Sequence, residues 1–446
     1  MNVRKKALGL LLAWEEKGTY LNLALSGATQ GLTEEERALL TALLYGTAER
    51  RLTLDYLAGA LSGRNVRELT PHTRALLRLG LYQVLYMTAM PVYAAVHETV
   101  ALGRDRGERA LCNAVLREAD RRRDSLPMPG REKNEARYLS VAYSVPLWIT
   151  RRFLTDYGEE TEALLAACNR RPPLTLAVNP LRGTRESYLQ DLSAAGIPAT
   201  ATETSPLGVR VNRDVPVQRL PGFAEGRFWV EDEASQLAAL ALDPRPGDRV
   251  LDLCACPGGK SFFCAARMEN RGEVLARDLR ESKLPLIRDG AARLGLSCVQ
   301  AQAQDATVLT PEWVGMADRV LADVPCSGLG VLAKKPDLRY RPEEGVLTLP
   351  LLQYSILLCG AQYVKPGGVL LYSTCTLNRA ENQEVVARFI AEHPDYAPEG
   401  FSFGRYTAKG GMLTLLPHRD GTDGFFLCRL RRRADPDVAK PERKAP

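Results

Sequence analysis

A chain of 446 residues exceeds one ordinary domain, so two to four are expected; 45% hydrophobic and 25% charged residues exclude a disordered or fibrous protein. Ten cysteines without regular spacing, in a chain this long, exclude a disulfide framework and suit a reducing, cytoplasmic compartment. The net charge is +6, and residues 1–137, with 21 Lys+Arg against 16 Asp+Glu, carry +5 of it.

The apolar run Ala7–Trp14 follows basic residues and so imitates a signal peptide. It is short, and Glu15 and Glu16 follow it in place of a small-residue cleavage site, so an amphipathic first helix is predicted. Thr33-Glu34-Glu35-Glu36 is a capping box that opens another helix. Thr70 followed by Pro71 opens a further one, in which Leu77, Leu81, Val84 and Leu85 recur at helical spacing and face a core. Residues 1–130 are thus expected to be an all-helical domain. The stretch RDRGERALCNAVLREADRRR, residues 104–123, is either a solvated helix face or a phosphate-contacting surface. SLPMPGREKN, residues 125–134, mixes Pro, Gly and charge and reads as a linker. No stretch of some 18 apolar residues exists, so no membrane span and no membrane partner are expected.

Residues 140–225 change pattern: LTLAV (174–178) and GVRV (208–211) read as strands, and TRESYLQDLSAAG (184–196) as a capped helix, giving a small α+β unit. From 226 to 433, RVLDL, EVLAR, RVLAD and GVLLYS each lead through a loop into a helix-like stretch. That alternation predicts an α/β domain with a mostly parallel, doubly wound sheet, whose ligands sit at the carboxyl ends of its strands. Residues 434–446 read as a disordered tail.

The first of these strands runs into DLCACPGGKS, residues 252–261. A phosphate-binding loop needs Gly six residues before its Lys, where Cys254 stands, and the G-x-G-x-x-G dinucleotide fingerprint is absent. What remains is a nucleoside without a pyrophosphate, such as S-adenosylmethionine. Asp278 follows the second strand, where a carboxylate can accept ribose hydroxyls; Asp305 follows the third, and Asp323 ends the fourth. Cys254 and Cys256, without nearby His or further paired Cys, make a poor metal site, and no metal is expected.

Cys326 lies three residues after Asp323, and Cys375 ends the next strand, so both thiols should open into the same crevice. Carbon-5 of cytosine is a poor nucleophile. A thiolate added to carbon-6 turns the ring into an enamine whose carbon-5 can take a methyl group, after which the carbon-5 proton and the thiolate must leave. Asp323 is suited to hold the N3/N4 edge of the ring.

The loop CACPGGKS, the stretch DVPCSGLG and the stretch YSTCTLNRAEN together resemble the RNA cytosine-5 methyltransferases of the RsmB/Sun group. The resemblance covers nearly the whole chain: residues 1–125, with LYQVLYM and NAVLR, are similar to a NusB-type RNA-binding domain. The unit at 140–225 is similar to the bacterial branch's ferredoxin-like insert. This resemblance implies a Rossmann-like methyltransferase domain acting on small-subunit ribosomal RNA. It implies Cys375 as the nucleophile and Cys326 as an aid to product release. Cys254, Ala255, Cys256, Pro257, Gly258, Gly259, Lys260, Asp278, Asp305 and Asp323 are implied at the cofactor, with Lys260 closing the loop onto carbonyls or Asp323. Lys334 and Lys335 are implied at RNA phosphates, and a monomer is expected. The alternatives are the same chemistry on tRNA or another RNA, and a non-catalytic RNA-binding assembly factor.

Overall fold

The computed structural model describes residues 2–18, 21–88, 90–212 and 215–434. Its helix starts follow local chemistry. Thr33 accepts from the Glu36 amide while the Glu36 carboxylate accepts from the Thr33 amide, so helix Glu34–Glu49 opens on the predicted capping box. Thr70 caps helix Pro71–Tyr86 with Pro at its first position, where the missing N–H costs nothing. The predicted first helix spans Val3–Lys17 and ends at Gly18 in the left-handed conformation. Leu77, Leu81 and Val84 are buried as expected, and Leu85 is partly buried against the same core. The expected tail lies outside the described residues from 435 onward.

The chain divides into two compact units. The first gathers the helices up to Arg170 and, from much further along the chain, Leu332–Arg341. Arg339, with no exposed surface, explains why that segment belongs there. Its guanidinium donates to the carbonyls of Glu49, Ser144 and Cys168 and to Asn169 Oδ1, at 2.6–3.3 Å. Tyr340 donates its hydroxyl to Ala48 O at 2.7 Å and packs edge-on against Trp14. Lys334 and Lys335 lie in this segment.

The second unit holds Arg171–Val331 and the chain from Pro342. Its smaller sheet contains β1 (Leu174–Val178), β2 (Ala199–Ala201), β3 (Gly208–Val211) and β4 (Phe228–Val230) in the order β2-β3-β1-β4, antiparallel throughout. Helix Arg185–Ala194 supplies Tyr188 and Leu192 to the core under it. β4 starts beyond residue 225, the end of the unit read from the sequence, because a three-residue strand carries too little alternation to be read.

The larger sheet runs β10-β14-β9-β8-β5-β6-β7, with β13 on β14. Its strands are β5 (Arg249–Asp252), β6 (Glu273–Asp278), β7 (Val299–Ala303), β8 (Ala317–Asp323), β9 (Val364–Thr374), β10 (Tyr396–Pro398), β13 (Met412–Leu415) and β14 (Phe425–Arg432); β11 (Phe401–Phe403) and β12 (Tyr406–Ala408) form a separate hairpin. β5 to β9 are parallel, and β14 lies antiparallel on β9. Helices Glu233–Leu242, Gly259–Arg267 and Leu284–Leu294 contribute to one core cluster, and Leu349–Tyr363 and Gln383–Glu392 to another, as in a doubly wound sheet. Strand order reverses between β5 and β8, and at such a point the loops diverge and leave a crevice.

One expectation needs correction. Glu344–Tyr363 does reach the length and apolarity of a membrane span, with a mean hydropathy of 1.3. It is a core element: Ile356, Leu357 and Cys359 join the sheet's core, and the buried Gln353 donates to Pro325 O and Glu381.

Candidate active site

The loop after β5 is held by backbone bonds from its neighbours. The Leu253 amide donates to Leu321 O and the Ala255 amide to Arg277 O, which splices the loop between β8 and β6. Gly258 then takes φ +112°, and a Cβ there would fall 2.5 Å from the Phe262 ring, so only glycine makes this turn into helix Gly259–Arg267. Cys254, Ala255, Cys256, Pro257, Gly258 and Gly259 thus form the loop at the carboxyl end of β5, where the strand order reverses.

Carboxylates surround it. Asp278 accepts from the amides of Cys256 and Arg280, at 3.3 and 3.1 Å, so it is tied to the glycine loop. Asp305 accepts from the hydroxyl and amide of Thr307, and those bonds hold its pKa below the usual carboxylate range. Asp323 receives Lys260 Nζ at 2.7 Å and the Ser373 hydroxyl at 2.7 Å. Of the two partners expected for Lys260, the structure selects Asp323. Burial works against the Lys260 charge, but Asp323 and Glu231 outweigh it and keep the ammonium ionised.

Two further acids were not anticipated. Asp252, wholly buried at the end of β5, accepts from Ser261 Oγ at 2.7 Å, and burial raises its pKa to about 7. Glu231 accepts from Trp229 Nε1 and Ser235 Oγ and is also shifted up by burial. The thiol of Cys254 is pushed well up, by burial first and then by Asp252, Asp323, Asp278 and Asp305. One ammonium among these carboxylates leaves the crevice electronegative. It therefore fits a cationic nucleoside, with Asp278 suited to ribose hydroxyls.

Beside this crevice lie the two predicted thiols. Cys326 Sγ is 3.3 Å from Cys375 Sγ, and both are partly exposed. The hydrogen bond with Cys375, followed by burial, raises the Cys326 pKa well above that of a free thiol. Cys326 therefore keeps its proton, and either sulfur can be the donor of this contact. The loops carrying them are stitched together: the Gly330 amide donates to Cys375 O at 3.0 Å. A Cβ on Gly330 would come within 2.0 Å of Gly424 O and 2.8 Å of Cys375 O, so this approach also requires glycine.

Glu381 is the residue that sequence reasoning passed over, although it stands in the quoted stretch six positions after Cys375. Fully buried, it accepts from the Ser327 amide and hydroxyl, Gln353 Nε2 and Asn378 Nδ2, at 2.5–3.0 Å. Ser327 Oγ also lies 2.7 Å from Thr376 Oγ1. One carboxylate thus fastens the residue after Cys326 to the residue after Cys375. Asn382 completes the clamp, bonding Thr374 Oγ1 and Thr376 O.

With this geometry in hand, comparison with known proteins is informative. Residues 239–431 match the family model "16S rRNA methyltransferase RsmB/F". Residues 1–121 match the NusB family, and 145–218 match the ferredoxin-like domain of RsmF/B-like methyltransferases. A relative from Bacillus subtilis (strain 168), "Probable ribosomal RNA small subunit methyltransferase B", is 36% identical over 447 residues, covering 97% of this chain and 99% of its own. "Ribosomal RNA small subunit methyltransferase B" of Klebsiella pneumoniae subsp. pneumoniae is 34% identical over 440 residues, covering 97% and 99%. Among solved structures, that of PH0851 superposes with a TM-score of 0.79 at 26% identity, covering 97% of this chain and 99% of the other. NSun6 from Pyrococcus horikoshii with SFG shares the fold, with a TM-score of 0.57 at 22% identity, over 64% of this chain and 97% of the other.

Proposed function

The chain belongs to the 16S rRNA methyltransferase RsmB/F family, and from that premise we propose that it methylates carbon-5 of a cytosine in small-subunit ribosomal RNA through a transient bond from Cys375 to carbon-6. The observation that carries this reading is the sulfur pair, 3.3 Å apart beside an electronegative nucleoside crevice. Methylation of a nitrogen or oxygen needs no thiol, whereas carbon-5 needs one to activate the ring.

S-adenosylmethionine is the cofactor; residues 254–260, Asp278, Asp305 and Asp323 would hold it, and it would supply an electrophilic methyl group at the crevice. The chain's own residues do the rest. The Cys375 thiolate adds to carbon-6, and the displaced π electrons make carbon-5 nucleophilic. Asp323, its two oxygens already oriented by Lys260 and Ser373, accepts from the exocyclic amine of the cytosine. After carbon-5 is methylated its proton leaves to solvent. The freed electron pair restores the C5–C6 double bond and expels the Cys375 sulfur as thiolate. Cys326, which has kept its proton, donates a hydrogen bond to that departing sulfur. Such a base must leave its stack to reach both thiols, which favours a loop or hairpin tip.

The test is methyl transfer from labelled S-adenosylmethionine to purified small-subunit rRNA, large-subunit rRNA and tRNA, with sites mapped by bisulfite sequencing. Label at cytosine carbon-5 in the small-subunit RNA is expected. Label confined to tRNA, or on nitrogen or oxygen, would overturn the reading. Binding of RNA without any transfer would instead favour an assembly factor.

A further inference from the structure

A cleft between helices Val92–Val100 and Arg106–Arg121 takes no part in the chemistry above. It encloses about 390 Å³, with Tyr93, His97, Arg109, Asn113 and Arg117 around a floor that includes Val96. That volume lies at the small end of ligand cavities, roughly 300–1,000 Å³, and suits a ligand the size of one nucleotide.

Its lining is sorted by chemistry. Tyr93 is 78% exposed, and among the described residues it makes no ring or cation contact, so its face is open. The arginines at the two ends of this region differ in their partners. Arg121 and Arg122 both pair with Glu118, and Arg123 with Asp120, so the far end of the helix is largely self-neutralised. Arg109 and Arg117, at the cleft, have no carboxylate partner among the described residues. Each is instead held through Nε, Arg109 by Gly103 O at 2.8 Å and Arg117 by Asn113 Oδ1 at 3.1 Å. A guanidinium fixed this way keeps its terminal N–H groups for a ligand and loses little entropy on binding one. The Asn113 amide nitrogen remains as a donor. Glu98 lies 3.9 Å from His97.

An aromatic plate, two anchored cations and an amide around a one-nucleotide volume match a base with its phosphate. We propose that this cleft binds a single unstacked nucleotide of the RNA substrate, its base on Tyr93 and its phosphate between Arg109 and Arg117. The inference rests on the reading that the chain acts on RNA. It assigns the positive charge of residues 104–123 to two arginines out of seven. An acidic peptide without aromatic residues would satisfy the arginines but leave the Tyr93 ring uncovered.

Fluorescence polarisation of the full chain with a labelled single-stranded ten-nucleotide RNA tests it. Tyr93→Ala should weaken binding about ten-fold, in the range of one lost base stack, while Tyr93→Phe should not. Arg117→Gln should lower affinity and flatten the plot of log Kd against log salt by about one unit of slope. Tyr93→Ala binding within two-fold of the parent would overturn the proposal, as would an acidic peptide displacing the RNA at lower concentration than unlabelled RNA does. Because the Tyr93 ring is exposed, the melting temperature should not move; if it does, the Arg117→Gln salt slope decides. Methyl transfer by the parent protein on rRNA keeps the two readings apart. Tyr93-dependent binding without transfer sinks the chemistry and leaves the cleft, whereas transfer with Tyr93-independent binding sinks the cleft alone.

Discussion

The sulfurs of Cys326 and Cys375 lie 3.3 Å apart although 49 residues separate them in the chain. The contact with Cys375, followed by burial, raises the Cys326 pKa and so disfavours Cys326 as the thiolate. Cys375→Ala should abolish turnover. Cys326→Ala should instead accumulate a protein–RNA adduct that survives denaturing electrophoresis. An adduct that builds up in the Cys375 variant would reverse the assignment.

Glu381 is a positioning residue, and its substitution should behave as such. In Glu381→Gln an amide N–H₂ replaces an acceptor oxygen against the buried donors of Ser327, Gln353 and Asn378. The expected cost is about 1–3 kcal/mol of stability for the polar mismatch. The turnover rate should fall at least ten-fold with little change in KM for S-adenosylmethionine. Alkylation of the two thiols by iodoacetamide, followed by mass spectrometry, should lose its preference for one sulfur over the other. Unchanged turnover and unchanged alkylation would rule the clamp out.

Lys260 and Asp323 form a mostly buried pair with side-chain exposures of 14% and 25%. Removing only the cation, as in Lys260→Met, strands Asp323 beside Glu231 and should cost about 3 kcal/mol by chemical denaturation. Adding Asp323→Asn should restore part of that loss. Strict additivity of the two changes would mean that the contact contributes nothing.

Asp252 makes stability depend on pH in a stated direction. Burial lifts its pKa from 3.8 to about 7, so between those values the folded protein binds more protons than the unfolded chain. Stability from this group is therefore full below about pH 4 and is lost as pH rises toward 7, by at most about 4 kcal/mol. Glu15 and Glu399, whose pKa values are lowered by arginines despite burial, act in the opposite sense, so the raw slope is a mixture. The difference in melting temperature between Asp252→Asn and the parent should grow with pH over this window. A constant difference would show that Asp252 ionises normally.

Much of the catalytic crevice was readable because its signals are local. A glycine loop, an acid at a strand end and a cysteine in a short stretch each occupy a few consecutive residues. The α/β alternation then brings the strand ends together. Glu381 and Asp252 were not readable as site residues, because each acquires its role only when distant loops converge on it. The short strands β2, β4 and β10 carry too few residues to alternate visibly, and β14 is buried along most of its length and so shows no alternation. In the helix Leu349–Tyr363, Gln353 and Tyr354 interrupt the apolar run, yet both are buried.

Arg339 also sets an order on biosynthesis. The carbonyls of Glu49, Ser144 and Cys168 emerge early, but the guanidinium that joins them is translated about 170 residues after Arg170. At roughly 5–20 residues per second, the helices would wait on the order of 10–30 s for their last strut. A nascent chain stalled before that point, or a protein begun at Arg171, would each hold only half of the joint.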